Sequence, residues 1–340
     1  MPVIALKFWR TWLQPLRLRR LVQWGVLLLC LALGVQFGLF VRHFTSFGQS
    51  AYVPRPPGVE GFLPIGALVS LKHWLVNGVI DTIHPAALVL FVIFLALALL
   101  AKNAFCSWLC PVGTLSDGAW LLGRRLTGRT LGVWSWLDLP LRGLKYLLLL
   151  FFIKLIVIDM PAEALQGFLN SPYWAVADVR MLQFFTAPSV LSLGIIAALV
   201  ALSLLYRNFW CRYLCPYGAL LGLLSLASPL KIRRDRGYCI DCRRCTGVCP
   251  GQIVVHRLET VRSVECNGCL TCVSHCPAPG ALGMHLVGWR RALPGWSFAL
   301  LVVLIFSGGI TLGMLTGHWE SALQYQDFQR LIPMASRFGH

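Results

Sequence analysis

The stretch Cys239-Ile240-Asp241-Cys242-Arg243-Arg244-Cys245-Thr246-Gly247-Val248-Cys249-Pro250 is followed by Cys266-Asn267-Gly268-Cys269-Leu270-Thr271-Cys272-Val273-Ser274-His275-Cys276-Pro277, and both read C-x2-C-x2-C-x3-C-P. A cubane iron-sulfur cluster needs four converging thiolates, and the short C-x2-C-x2-C loop supplies three of them. In chains with two such runs the last cysteine of each crosses to the other cluster. The spacing therefore predicts one [4Fe-4S] centre on Cys239, Cys242, Cys245 and Cys276 and a second on Cys266, Cys269, Cys272 and Cys249. Pro250 and Pro277 stop the chain folding back over the remote ligand, and Gly247 and Gly268 are expected to relieve crowding near the sulfurs. One run alone would be compatible with zinc or a disulfide framework; two runs with this ending are far more specific.

Working outward, the rest of the chain reads as membrane. Hydrophobic residues make up 57% and charged residues 13%, which leaves little material for a second soluble domain. Apolar stretches run from Leu21 to Val41, Pro85 to Ala101, Met181 to Tyr206 and Ala292 to Gly317, near the ~17–25 residues that cross a hydrocarbon core. A fifth, from about Leu144 to Ile158, is interrupted by Lys154, and Ala67 to Ile80 reads as an interfacial or re-entrant helix. The expected fold is an all-α polytopic membrane protein of about five transmembrane helices with an inserted small α+β ferredoxin domain of the bacterial two-cluster type. Its parts are a basic N-terminus over residues 1–20, a membrane domain over 21–230, a dicluster ferredoxin domain over 231–288, and a final helix with a short tail over 289–340.

The net charge of +17 is concentrated in Arg10 to Arg20, Arg124 to Lys145 and Lys231 to Arg244, with Arg290 and Arg291 before the last span. The positive-inside rule puts these segments, and the ferredoxin domain with them, in the cytoplasm of a bacterial inner-membrane protein, with the tail outside. Lipid anchoring and anionic clusters account for the basic balance, so no nucleic-acid partner is expected.

An offset of 105 residues lays Lys102-Asn103-Ala104-Phe105-Cys106-Ser107-Trp108-Leu109-Cys110-Pro111 over Arg207-Asn208-Phe209-Trp210-Cys211-Arg212-Tyr213-Leu214-Cys215-Pro216, an internal duplication. Each copy ends an apolar span, so two helical hairpins each carry C-x3-C-P. Convergence of Cys106, Cys110, Cys211 and Cys215 would suit a further metal centre, a redox dithiol or contact with the ferredoxin domain, and equally a purely structural role in the hairpins.

Quinol oxidation releases protons and calls for titratable groups near a membrane face. Lys72, His73, Asp81 and His84 stand in an expected outer loop, with Glu60 just before them, and Lys154 falls inside the third span, where an ionisable group is a functional candidate. Anchoring by the histidines, and pairing of Lys154 with Asp159, are the plainer alternatives. Trp74, Tyr173 and Trp174 read as interface-belt aromatics. No histidine lies at mid-span, so no haem is expected, and the absence of a nucleotide fingerprint or a Ser/His/Asp pattern argues against a self-contained NADH dehydrogenase or a hydrolase.

Through the two C-x3-C-P motifs and the two ferredoxin runs the chain resembles the NapH/NosR/MauN group of membrane-bound polyferredoxins over nearly its whole length. The resemblance implies a quinol-dehydrogenase-type electron-transfer subunit rather than a stand-alone enzyme, working with a periplasmic reductase system, a cytochrome or a maturation client. NosR-type members carry an additional N-terminal flavin-binding periplasmic domain, which is not expected here because the first span starts near Leu21. The leading expectation is relay of electrons between quinol/quinone and a partner protein, with maintenance of a client cofactor as the alternative. Because Arg233, Arg234, Arg236, Arg243 and Arg244 crowd the first run, while Arg257 and Arg262 face Glu259 and Glu265 near the second, the first cluster is expected to have the higher potential.

Overall fold

A computed structural model describes residues 14–128, 132–289 and 291–337. Arg10, Arg290 and residues 129–131 of the second basic run lie outside these. The protein is mostly helical and divides into two compact units, one of Met1–Leu27, Phe94–Tyr146 and Val200–Ser307, the other of Leu28–Ile93, Leu147–Leu199 and Gly308–His340.

Of the five expected spans, two form single helices long and apolar enough to cross a membrane, Pro15–Thr45 and Gly295–Leu315. Helices Ala177–Thr186 and Val190–Leu205 make a third if taken together, but they meet at 73°. The stretch expected to run unbroken from Met181 to Tyr206 is thus interrupted, and the cause is Pro188. Proline lacks the amide that would continue the helix and drives its predecessor from the α region; Ala187 accordingly sits at φ −135° and ψ 59°. Helix Pro85–Leu100 has 16 residues and, at 1.5 Å rise, is about 24 Å long, short of the ~30 Å hydrocarbon thickness. The Leu144 to Ile158 stretch is the end of helix Ser135–Phe152 running into a π-helical segment, Ile153–Asp159. The Ala292 to Gly317 stretch begins as a strand, and Pro294 separates that strand from the helix.

In the first unit a three-stranded antiparallel sheet orders β1 (Leu230–Arg234), β2 (Leu282–Leu286) and β3 (Ala292–Leu293), with Ile232 opposite Met284. Leu230, Ile232, Leu282 and Met284 are buried, the period-two pattern of a strand with one face on a core. Lys231, on the other face of β1, is buried as well, its Nζ donating to Ser225 O at 3.3 Å and Leu226 O at 2.7 Å. Both cysteine runs lie between β1 and β2.

In the second unit Phe37, Phe40 and Phe44, at helical spacing on Pro15–Thr45, pack with Val59, Val176, Phe328 and Ile332. Phe40 meets Phe328 edge-on at 5.1 Å. The segment expected as a short tail thus folds back as a helix, Tyr325–Leu331, started by a capping box between Gln324 and Asp327.

Candidate functional site

The eight ferredoxin cysteines gather in two sets. Cys249, Cys266, Cys269 and Cys272 line one cavity of about 360 Å³, open mouth included, and Cys239, Cys242, Cys245 and Cys276 line another of about 370 Å³. The two runs fold alike. Asp241 and Gly268, and likewise Arg243 and Leu270, occupy corresponding places, and all four have φ between 48° and 63°. Such left-handed residues turn successive amides toward an anion. The short helices Arg244–Gly247 and Thr271–Ser274 follow. Gly268 is tightly enclosed, with Phe298, Lys102 and Ala101 around the place a Cβ would take, whereas Gly247 has open space there. Relief of crowding therefore applies to Gly268 and not to Gly247.

No single-ion site competes with this arrangement: among the described residues no three His, Cys, Asp or Glu side chains are grouped to hold one metal ion. None of the thirteen cysteines is in a disulfide. The donors fit anionic cubanes. Arg234 NH1 donates to Cys239 Sγ at 3.4 Å, and the buried Lys102 Nζ, with no hydrogen-bond partner among the described residues, lies with Lys231 within electrostatic reach of Cys266.

The two sites differ in how they are held. The Cys266–Cys269 loop is fastened to the first hairpin motif: Ser107 Oγ donates to Asn267 O at 2.6 Å and Trp108 Nε1 to Gly268 O at 3.2 Å. The Cys249 loop is fastened to the second, through Arg207 to Val248 O at 3.4 Å and Arg212 to Gly251 O at 3.1 Å. Arg19 adds a third tie, donating to Ser107 O at 2.8 Å, to Thr271 Oγ1 at 3.2 Å and to Asp117 at 2.7 Å. The sequence reading counted Arg19 only as a membrane-flanking charge. Around the other cavity Cys242, Ile240, Arg243 and Arg244 are exposed.

Each C-x3-C-P motif is a single π-turn, Phe105–Leu109 and Trp210–Leu214, closed by Cys110 N to Phe105 O at 2.9 Å and Cys215 N to Trp210 O at 3.0 Å. The second cysteine of each then caps a helix whose first residue is proline, the position where a missing amide costs least. Cys106 and Cys211 both stand within electrostatic reach of Cys110 and Cys215, so the four thiols converge. Burial pushes the Cys106 and Cys211 thiols well up, and the neighbouring sulfurs add to the shift. In the second copy Arg212 and Tyr213 Oη clamp the buried Asp138 at 3.0 and 2.6 Å.

The proposed quinol-side residues fall in the second unit and separate into kinds. Lys72 Nζ is spent on Ile156 O at 3.0 Å and Met160 O at 2.5 Å, His73 Nδ1 meets Val79 O at 3.1 Å, and Lys154 pairs with Asp159 at 2.5 Å while largely exposed. His84 is different. It is buried, with Nδ1 3.2 Å from Glu60 and Nε2 2.7 Å from Trp174 O, and Arg55 bridges Glu60 and Asp178 at 2.8 and 2.7 Å. Burial disfavours its charge, but Glu60 and Asp178 outweigh burial and Arg55 and hold the imidazolium above its usual range. Asp81 accepts from Trp174 Nε1 at 2.8 Å and from the Ile83 and His84 amides at 3.0 and 3.3 Å. Trp174 is therefore no belt aromatic: it is 1% exposed, because its indole N–H has a buried acceptor. Arg55 and Asp178 were missed in the sequence, where nothing links residues so far apart.

Comparison with known proteins finds iron-sulfur-binding families over the same segments. The 4Fe-4S dicluster domain family matches residues 231–277, and the 4Fe-4S binding domain family matches 83–130 and 187–237, the two duplicated segments. The putative electron transport protein YccM of Escherichia coli K12 is 44% identical over 337 residues, 98% of this chain and 94% of its own length. The ferredoxin-type protein NapH of Haemophilus influenzae is 29% identical over 76% of this chain and 85% of its own, and the regulatory protein NosR of Pseudomonas aeruginosa is 28% identical over 62% and 29%. No solved structure matches.

Proposed function

We propose, from the premise that this chain belongs to the family of NapH- and NosR-type membrane-bound polyferredoxins, that it relays electrons between the quinol/quinone pool and a partner redox protein through two [4Fe-4S] clusters. The family fixes the coarse activity: this is a ferredoxin-type electron-transport membrane protein with iron-sulfur-binding domains. The observation that carries the finer reading is the sorting of eight cysteines into two four-thiol cavities, with each run lending its last cysteine to the other set. When bound, each cluster supplies one-electron storage.

Cys249, Cys266, Cys269 and Cys272 are assigned to the cluster beside the hairpin motifs, and Cys239, Cys242, Cys245 and Cys276 to the one nearer solvent. An exit to a soluble partner through the second set is supported by the exposure of Cys242 and Ile240. Orientation with these sites toward the cytoplasm of an inner membrane is supported by charge. Arg17, Arg19, Arg20, Lys145 and Lys231 all belong to the compact unit that holds the cysteines, as the positive-inside rule asks. His84, with Glu60, is the group we assign to proton release on quinol oxidation, since a buried imidazole between carboxylates is poised to exchange a proton.

The test is anaerobic. Detergent-purified protein receives a menaquinol or ubiquinol analogue, and the electron paramagnetic resonance spectrum of the clusters is recorded. Reduced [4Fe-4S] signals are expected. Signals that appear with dithionite but never with quinol would overturn the quinol reading.

The nearness of four thiols supports a second reading, in which Cys106, Cys110, Cys211 and Cys215 reduce a client cofactor during maturation. Serine replacements there would then abolish client activation and leave both ferredoxin clusters intact.

A further inference from the structure

Each copy of the duplication opens on a basic residue followed by asparagine, Lys102-Asn103 and Arg207-Asn208. Both dipeptides carry unsatisfied atoms: Lys102 Nζ, Asn103 Oδ1, Arg207 Nε and Asn208 Oδ1 are buried with no hydrogen-bond partner among the described residues. An ammonium buried without a counter-charge is among the costliest arrangements a fold tolerates. Lys102 is nevertheless 0% exposed and held at φ 59°, a left-handed conformation that side chains disfavour. Its Cβ lies 3.3 Å from the place a Cβ on Gly268 would take, against the loop that carries Cys266 and Cys269.

Arg207 approaches the same cavity from the other copy. Its guanidinium stacks 4.4 Å from the centre of the Trp120 ring and donates to Val248 O at 3.4 Å, next to Cys249. Asp117, Cys269 and Cys249 are the anionic groups within its reach.

We propose that Lys102 and Arg207 are a repeat-related pair of positioning residues, whose two charges bracket the cluster of Cys249, Cys266, Cys269 and Cys272 and raise its reduction potential. The inference rests on the two-cluster assignment above. Reduction adds negative charge, and a buried cation favours the reduced state more than an exposed one does, because water screens the latter. Arg243 and Arg244, which crowd the other run in sequence, are exposed. Arg234 NH1, 3.4 Å from Cys239 Sγ and with 9% of its side chain exposed, gives the other cluster a buried cation of its own, so the proposal concerns the potential of the cluster of Cys249, Cys266, Cys269 and Cys272 alone.

The experiment is a mediated redox titration of the full-length, detergent-purified protein, followed by electron paramagnetic resonance, with iron and sulfide assayed in every variant. Lys102→Gln and Arg207→Gln should each shift the reduction equilibrium of the same cluster at least tenfold toward the oxidised form, ~59 mV for one electron, and leave the other in place. Lys102→Arg and Arg207→Lys should stay within threefold of the parent. If the glutamine variants lose half their iron and the charge-keeping variants retain it, the charges are needed to hold that cluster, which also supports the pairing. Unchanged potentials at full iron content, shifts in different clusters, or equal iron loss in the charge-keeping variants would overturn it. Mediators replace quinol here, so a protein whose clusters titrate but ignore quinol loses the relay function and keeps this inference. A parent protein without cubane signals loses the two-cluster assignment itself.

Discussion

The Lys145 ammonium stands 2.8 Å from the Glu265 carboxylate, with 4% and 14% of the two side chains exposed. The pair ties helix Ser135–Phe152 to the residue immediately before Cys266. Removing one partner of a buried pair strands the other charge and costs about 3–5 kcal/mol. Glu265→Gln should lower the temperature at which cluster absorbance is lost, and Lys145→Met combined with Glu265→Leu should recover part of that loss. Additive losses in the double variant would show that the two residues act independently.

Crossed ligation makes a sharper demand. Cys249→Ser should remove the same paramagnetic signal as Cys269→Ser, and Cys276→Ser the same signal as Cys242→Ser. Pairing of Cys249 with Cys242 in this assay would mean that each run closes its own cluster.

Gly66, on helix Pro64–Asn77, lies against the Trp174 ring so closely that an added Cβ would collide with it. Overpacking of this sort costs about 1–3 kcal/mol. Gly66→Ala is expected to lower thermal stability in detergent by that amount, and a neutral result would show that the ring has room to shift.

His84 should impose a pH dependence on stability. The groups around it are Glu60, Asp178 and Arg55, with Trp174 O on the far nitrogen. Together they hold its imidazolium above the usual range. A raised value means that the protonated form stabilises the fold fully below the ~6.5 of an unfolded histidine, and that this contribution fades as pH rises through the folded value. The melting temperature of the parent should therefore fall above about pH 6.5 by more than that of His84→Gln. Parallel profiles would remove His84 from the account.

The cysteine spacings made the ferredoxin fold legible, because four ligands to one cube leave the backbone few alternatives. The duplication was legible too, but not its conformation: the C-x3-C-P spacing suits an α-helical turn as well as a π-turn, and only the Cys110 to Phe105 bond decides for the latter. Run lengths of apolar residues marked where membrane helices lie and overstated their continuity, since Pro188 counts as one neutral residue in a hydropathy window and as a break in a chain. The buried charges were hidden most deeply. Arg55 and Asp178, or Lys102 and Cys266, meet only after folding, so charge counted along the sequence reaches Arg234 beside Cys239 but not Lys102 beside Cys266.

The duplicated π-turns also bear on stoichiometry. Each copy brings two of the four converging thiols, so a chain with a single copy would complete the set only by associating with a second molecule of itself. Fusion of the halves relieves that symmetry. It is what lets one copy present a lysine and the other an arginine, and lets Arg212 and Tyr213 specialise in gripping Asp138 where their counterparts Ser107 and Trp108 hold the Asn267 and Gly268 carbonyls.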